Sequence, residues 1–218
     1  MNEFSLHSDI KKAYSLPRDQ FEVKVGNYVV DILRGDLIIE VQTRNFSAIK
    51  KKLQVLIKDY KVRLVYPVSE KKWITYIAEN QAMGNKRKSP RKGRLTDLFC
   101  ELVMIPNMIK EDSFSLEVLF IDEEEIRCDD GKGSWRRKGA SIRDRKLLRL
   151  NDAFLFQNKA DYLKILPKGL NRVFTNKELA CLAKIPLRTA QQVTYCLRKS
   201  DIIRTVDKKG REIRFQIN

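Results

Sequence analysis

Two dipeptides constrain this chain most, Gly26-Asn27 and Gly35-Asp36. Each interrupts a run of aliphatic and β-branched residues, and each is a pair favoured at the centre of a two-residue hairpin turn. Together they predict a three-stranded meander over residues 21–25, 28–34 and 37–43. With both turns two residues long, residues summing to 53 pair across the first hairpin and residues summing to 71 across the second. Side chains alternate between faces along a strand. The register therefore predicts one apolar face with the rows Phe21/Ile32/Ile39 and Val23/Val30/Val41. The opposite face carries Gln20/Leu33/Ile38 and Lys24/Val29/Gln42, and between them Glu22/Asp31/Glu40, a row of three carboxylates.

Directly opposed side chains in a sheet sit about 5 Å apart, and like charges there are destabilising. At an effective dielectric near 20, two such charges repel by roughly 3 kcal/mol, a large part of a domain's net stability. A divalent cation offsets this directly. Mg²⁺ (or Mn²⁺) takes one or two carboxylates and keeps several waters, leaving positions for a phosphate oxygen. A solvated sheet face also carries acids, but it normally pairs them with lysines, and here Leu33, Ile38 and Val29 share the face.

Around the meander the order of elements reads α-β-β-β-α-β-β. A first helix fits residues 2–14, with Phe4, Ile10, Ala13 and Tyr14 inward. A second, over 46–60, places Phe46, Ile49, Leu53, Leu56, Ile57 and Tyr60 on one side. Strands follow at 61–66 and 72–78, then a basic loop, GNKRKSPRKGR, over 84–94. A helix is expected to begin near Leu95, and 115–127 reads as a strand. The acids Asp122 to Glu125 lack calcium-loop spacing and are expected on a solvated surface. Residues 133–150 fit no element clearly. In the last stretch Thr175 and Glu178 form a capping box ahead of LACLAKI. A turn through Pro186 leads into RTAQQVTYCLRK, and two strands then flank a loop at Asp207–Gly210.

The formal charge of +16 is unevenly placed. Residues 81–110 carry 7 basic and 2 acidic groups, 166–218 carry 12 and 4, while 111–165 carry 11 and 12. Two basic blocks flanking a neutral middle fit a chain that presents two surfaces to a polyanion, with nucleic acid the leading partner. No apolar run approaches a membrane span and the N-terminus lacks an apolar signal core, which points to a cytoplasmic protein with no membrane partner. The cysteines Cys100, Cys128, Cys181 and Cys196 have no paired spacing and His7 is the only histidine, so a zinc site is not expected and the cysteines read as reduced, mostly core residues.

An acid on one strand, an acid-x-polar triplet on the next, then an amphipathic helix and a strand resembles the PD-(D/E)XK nuclease superfamily over about the first 80 residues. The resemblance implies an α/β fold: a restriction-endonuclease-like αβββαβ core with a mixed central sheet. It also implies metal-assisted hydrolysis of phosphodiesters. By position, Asp31 matches the first metal-binding acid, Glu40 the second, and the Val41 carbonyl a further ligand. Gln42 stands where the family normally has lysine, and would orient the attacking water. Some members carry glutamine there, and others move the lysine into the following helix, where Lys50 flanks the apolar side. Glu22 is the preferred additional acid, with Glu3 of the first helix the other candidate.

Residues 175–218 look like a winged helix. In that likeness RTAQQVTYCLRK is the recognition helix, with Ala190, Val193 and Leu197 inward and Arg188, Gln191, Gln192, Thr194 and Arg198 available to DNA. Lys208, Lys209 and Arg211 of the wing would lie along the backbone, and Lys86, Arg87, Lys88 and Arg91 of the basic loop would grip phosphates near the acids. The expected organisation is a nuclease core over 1–94, a mixed α/β extension of unassigned role over 95–169, and a winged-helix domain over 170–218. The leading expectation is a Mg²⁺-dependent DNA endonuclease. The alternative is a non-catalytic DNA-binding protein or regulator that keeps a degenerate core as scaffold. A homodimer or a place in a larger DNA-processing complex stays open.

Overall fold

The computed structural model describes residues 5–77, 83–210 and 212–218, the side chains of Met83 and Lys209 excepted. Glu3, Phe4, Arg211 and the end of the strand expected over 72–78 fall outside the described residues. The helices are α1 (Ser5–Tyr14), α2 (Phe46–Leu56), α3 (Phe99–Leu102), α4 (Lys159–Leu163), α5 (Asn176–Ala183) and α6 (Leu187–Lys199). The strands are β1 (Gln20–Val25), β2 (Tyr28–Arg34), β3 (Leu37–Val41), β4 (Lys61–Ile77), β5 (Met83–Lys88), β6 (Phe114–Cys128), β7 (Ser141–Phe156), β8 (Val173–Thr175), β9 (Ile203–Lys209) and β10 (Glu212–Ile217).

Both hairpins form in the expected register, with Phe21 opposite Ile32, Val23 opposite Val30, Ile32 opposite Ile39 and Leu33 opposite Ile38. Gly26 and Gly35 take φ of +56° and +59°, the positive value that the first central position of a type II′ turn demands of glycine. A crossover through α2 then lays β4 parallel to β3, and β6 runs parallel to β4 and antiparallel to β7. The result is an open, mixed seven-stranded sheet in the order β1-β2-β3-β4-β6-β7, with β5 also on β4.

The 61–66 and 72–78 strands are one continuous β4, running through Pro67. A proline is tolerated there because β3 pairs with β4 only as far as Val65 and β5 only from Trp73, so neither strand reaches Pro67 on that edge. The basic segment expected to be a loop is in part β5, which binds the far half of β4. Residues 133–150, which fit no element, contribute most of β7.

Alternate residues of the strands feed two cores. Ile38 and Leu64 pack with Phe46, Leu53 and Leu56 of α2; Ile39, Val41 and Val65 pack with Leu6 and Ile10 of α1. On α1, Ala13 is exposed and Leu6 takes the inward place. Phe46 is fully buried and meets Tyr66 edge-on at 5.3 Å. Phe46→Ala is expected to lower unfolding free energy by about 3–5 kcal/mol in a denaturant titration, since it removes a ring and leaves a cavity.

Asp122, Glu123 and Glu125 are buried, at 6%, 2% and 2% exposure, contrary to the solvated surface expected of them. They sit on β6, an interior strand of the sheet, where solvent is excluded and burial requires partners. Glu123 is 2.6 Å from Lys72, and Glu125 is bracketed by Lys72, Arg127 and Arg145 at 3.3, 2.6 and 3.2 Å.

Past α4, a small three-stranded sheet in the order β8-β10-β9 carries α5 and α6. The capping box forms: the Glu178 amide donates to Thr175 Oγ1 at 3.3 Å and the Thr175 amide to Glu178 Oε2 at 2.7 Å. The apolar cluster beneath α2 runs on without a break into Phe174, Leu179, Ala190, Val193 and Phe215. Cys128 and Cys196 are buried, whereas Cys100 and Cys181 are exposed; none is in a disulfide. Among the described residues no helix is long and apolar enough to cross a membrane.

Candidate functional site: paired acids where two strands part

The three carboxylates do not form a single row. Glu22 takes a left-handed backbone (φ +53°), which breaks the alternation of β1 and leaves it out of the ladder with Asp31. Beyond that break Val30 joins the core under α2 while Ile32 stays in the core under α1. Val23 and Val30 therefore leave the expected shared face, while Val41 stays with Ile32 and Ile39.

The ladder between β2 and β3 stops at Ile32 and Ile39, and the acids themselves bracket the parting strands. The Val41 amide donates to Asp31 Oδ2 at 2.8 Å, and the Asp31 amide donates to Glu40 Oε1 at 3.3 Å. Each carboxylate thus satisfies a backbone N–H that has lost its ladder partner.

Helices supply the countercharges. From α1, His7 Nε2 lies 2.8 Å from the Val41 carbonyl and 3.2 Å from Asp31 Oδ2. A carbonyl only accepts, so this nitrogen carries the proton. Lys11 lies 3.1 Å from Glu22 and 3.6 Å from Asp31. From α2, Lys52 Nζ sits 2.6 Å from Glu40 and also donates to the Val29 carbonyl at 2.6 Å.

The environments push the acids apart. Burial drives Asp31 upward, but His7, the Val41 amide and Lys11 together outweigh it and hold the carboxyl below its ordinary value. Burial, then the neighbouring Asp31 charge, drives Glu40 above its ordinary value, with Lys52 pulling the other way. A pair separated in this manner is a recognised sign of a site where proton affinity is tuned.

Among the described residues no three His, Cys, Asp or Glu side chains group as a metal centre. The donors that converge are two carboxylates and a main-chain carbonyl. Asp31 Oδ2 and the Val41 oxygen both lie within hydrogen-bond distance of one atom, His7 Nε2. That point is held by the His7 N–H, and Lys52 is at 2.6 Å from Glu40; the donors themselves are hard oxygens of the kind Mg²⁺ or Mn²⁺ takes.

Asp31, Glu40 and Val41 are brought together by the two amide–carboxylate hydrogen bonds and not by a ladder pair. Glu22 reaches the site only at its edge, mostly exposed, through Lys11. The Gln42 amide is turned away, donating to the Arg44 and Asn45 carbonyls at 2.5 and 3.4 Å where α2 begins. Lys50 is exposed, and Lys52 makes the contact instead. His7, Lys11 and Lys52 are missing from the sequence reading. Their signal was spacing: Lys52 stands i+3 from Ile49 and i−4 from Leu56, beside the apolar stripe, and His7, Ile10 and Lys11 share a face of α1.

The remaining basic residues lie apart. On β5, Lys86, Arg87 and Lys88 are exposed, with Lys86 3.1 Å from Glu124, and Arg91 follows, 3.5 Å from Asp97. On α6, Arg188, Gln191 and Arg198 are exposed, and Gln192 lines a shallow groove with Val103 and Tyr195. Thr194 is not available: it is buried and donates to Asn176 Oδ1 at 2.7 Å, fixing α6 to the start of α5. Lys208 is exposed on β9, and the Lys209 side chain lies outside the described residues.

The fold and the site define a mixed α/β protein with a paired-carboxylate centre at the parting of two strands. The chain belongs to the family described as a domain of unknown function (DUF8091), which matches residues 4–157. A protein of Treponema pallidum (strain Nichols), described only as an uncharacterized protein, is 31% identical over 179 residues, covering 82% of this chain and 71% of that one. No solved structure matches the chain.

Proposed function

We propose that the protein is a metal-dependent DNA endonuclease built on a PD-(D/E)XK-like core, directed to DNA by a C-terminal winged helix. The observation that carries the reading is the convergence of Asp31 and the Val41 carbonyl beside Glu40, at the parting of β2 and β3 in an αβββαβ core. Asp31, Glu40 and the Val41 carbonyl are assigned to hold Mg²⁺ or Mn²⁺. When bound, the cation adds positive charge at the phosphate oxygens and makes water more acidic. Lys52, on the helix after β3, is assigned the positive charge that Gln42 does not bring. His7 and Lys11 keep Asp31 ionised. Support for the winged helix is the topology β8-α5-α6-β9-β10 with Arg188, Gln191 and Arg198 exposed on α6 and Lys208 on the wing.

The test is nicking of supercoiled plasmid in Mg²⁺ or Mn²⁺ by wild type, Asp31→Ala and Glu40→Ala. The reading expects conversion by wild type and none above background by the variants. Equal nicking by all three rejects it, and retained DNA binding without cleavage by wild type favours the non-catalytic regulator instead.

A pH dependence follows from Glu40. Cation binding needs the carboxylate deprotonated. Since Glu40 is held above the ordinary 4.5, activity should rise with pH through that raised value rather than through 4.5. Lys52→Met should move this acid limb to higher pH, because it removes the lysine that lowers Glu40; the pH–rate profile of the two proteins checks the sign.

A further inference from the structure

Residues 129–140 close the hairpin between β6 and β7, whose ladder ends at Cys128 opposite Ser141. The closure is tightly built. The Gly133 amide donates to the Gly139 carbonyl at 2.6 Å, and the Lys138 amide to the Trp135 carbonyl at 3.0 Å. A Cβ on Gly133 would stand 1.7 Å from the Ala140 oxygen, so the two sides of the loop touch there and leave no room for a side chain. Asp130 braces the base, accepting from Ser141 Oγ at 2.8 Å and from the Lys132 amide at 3.1 Å, with Arg143 at 3.3 Å.

Trp135 projects from this loop, 82% exposed, the most of any large apolar side chain among the described residues. An indole is among the side chains that gain most from burial, so a closed loop that holds one in water presents a contact surface. The Arg136 guanidinium lies 5.5 Å from the ring centroid, which puts a cation on one face of the indole and leaves the other open. Lys132, Arg136 and Lys138 are exposed, and residues 131–140 hold four basic residues and no acid. Of the two acids just before them, Asp130 is engaged by Arg143, which leaves Asp129 against the four. The basic surface continues across the sheet. Lys86, Arg87 and Lys88 of β5 are also exposed, and Lys86 and Ile126 of β6 both pair with Thr75 of β4 between them.

An aromatic ring among cations matches the two parts of a nucleic acid: the cations suit phosphates, and the ring suits the π-face of a base. In a duplex both faces of each base are covered by its neighbours, so an unpaired base is the partner that can offer one. A lipid surface fits less well. Insertion at headgroup depth needs several bulky apolar side chains together, and from Asp129 to Gly139 there is Trp135 alone.

We propose that the β6–β7 loop binds single-stranded nucleic acid, stacking an unpaired base on Trp135 with Lys132, Arg136 and Lys138 along the adjoining phosphates. A role for that base in choosing where a strand is cut rests on the endonuclease reading; the stacking does not.

The test is fluorescence anisotropy of the full chain with a labelled oligothymidylate, which does not pair with itself, and with a blunt duplex of equal length, in EDTA so that no strand is cut. Trp135→Ala is expected to lose about tenfold in affinity for the single strand, the usual loss for one base–aromatic stack, and to bind the duplex as wild type does. Trp135→Phe, which keeps a ring, should stay close to wild type on both. The side chain is exposed, so neither variant removes a core contact. No single-strand binding by wild type, unchanged affinity in Trp135→Ala, or an equal loss on single strand and duplex overturns the site. If Trp135→Ala instead loses binding to phosphatidylserine vesicles and keeps the oligothymidylate, the loop is a membrane contact and the proposal falls. A selective single-strand loss in a chain that nicks no plasmid supports the loop and rejects only the endonuclease reading.

Discussion

Glu125→Ala is expected to lower the unfolding free energy by about 3–5 kcal/mol, because it removes a buried carboxylate that three cations share. Glu125 is 2% exposed and is the shared partner of Lys72, Arg127 and Arg145. Lys72 keeps Glu123 at 2.6 Å, but all three cations lose the carboxylate that they share. Glu111→Ala, at an exposed position, is the control and should shift stability by no more than about 0.5 kcal/mol. The sign with pH follows from the cations. Burial raises Glu125, but Lys72, Arg127 and Arg145 together hold it below the ordinary 4.5. Its contribution is present above pH 4.5 and is lost as pH falls through the lowered value. The gap between wild type and Glu125→Ala in denaturant should therefore close on acidification, and a gap that widens would contradict the account.

Lys52→Met is expected to reduce the cleavage rate by about 10²–10³-fold, the usual loss when a positioned electrostatic partner is removed from an active centre. Lys50→Met, two residues away on the exposed side of α2, should leave it within a few-fold. The measurement is the initial rate of plasmid nicking at saturating Mn²⁺. Equal rates for both variants would remove Lys52 from the site and return attention to Gln42.

The meander was legible because local chemistry determined it. Gly26 and Gly35 allow only tight turns of one length, and turn length sets register. The apolar stripe of α2 and the Thr175–Glu178 box were legible for the same reason: each is decided within a few residues. What the sequence hid is non-local. A left-handed residue at Glu22 flips which side chains face which core, and nothing in a glutamate announces a positive φ. The segment around Pro67 looked like a break between two strands because proline cannot pair on an inner edge. It lies within one strand because neither β3 nor β5 reaches it on that edge. The acids of β6 looked solvated because their partners, Lys72, Arg127 and Arg145, come from three strands.

The same division holds at the site. Register put Asp31 beside Glu40, and the resemblance implied the Val41 carbonyl; hydrogen bonds to the acids, in place of ladder pairs, bring the three together. His7, Lys11 and Lys52 were passed over since a histidine or lysine on a helix is usually a solvated one. Only the packing of α1 and α2 over the parting strands turns them toward the acids. Gln42, equivalent by position to a lysine, is drawn instead to the carbonyls where α2 begins.

The proposed hydrolysis needs Asp31 and Glu40 to hold a divalent cation, and calorimetric titration of Mn²⁺ into the full chain measures that most directly. The predicted result is one site per chain in wild type, absent from Asp31→Ala. No heat of binding in wild type, or the same isotherm in both proteins, would contradict it.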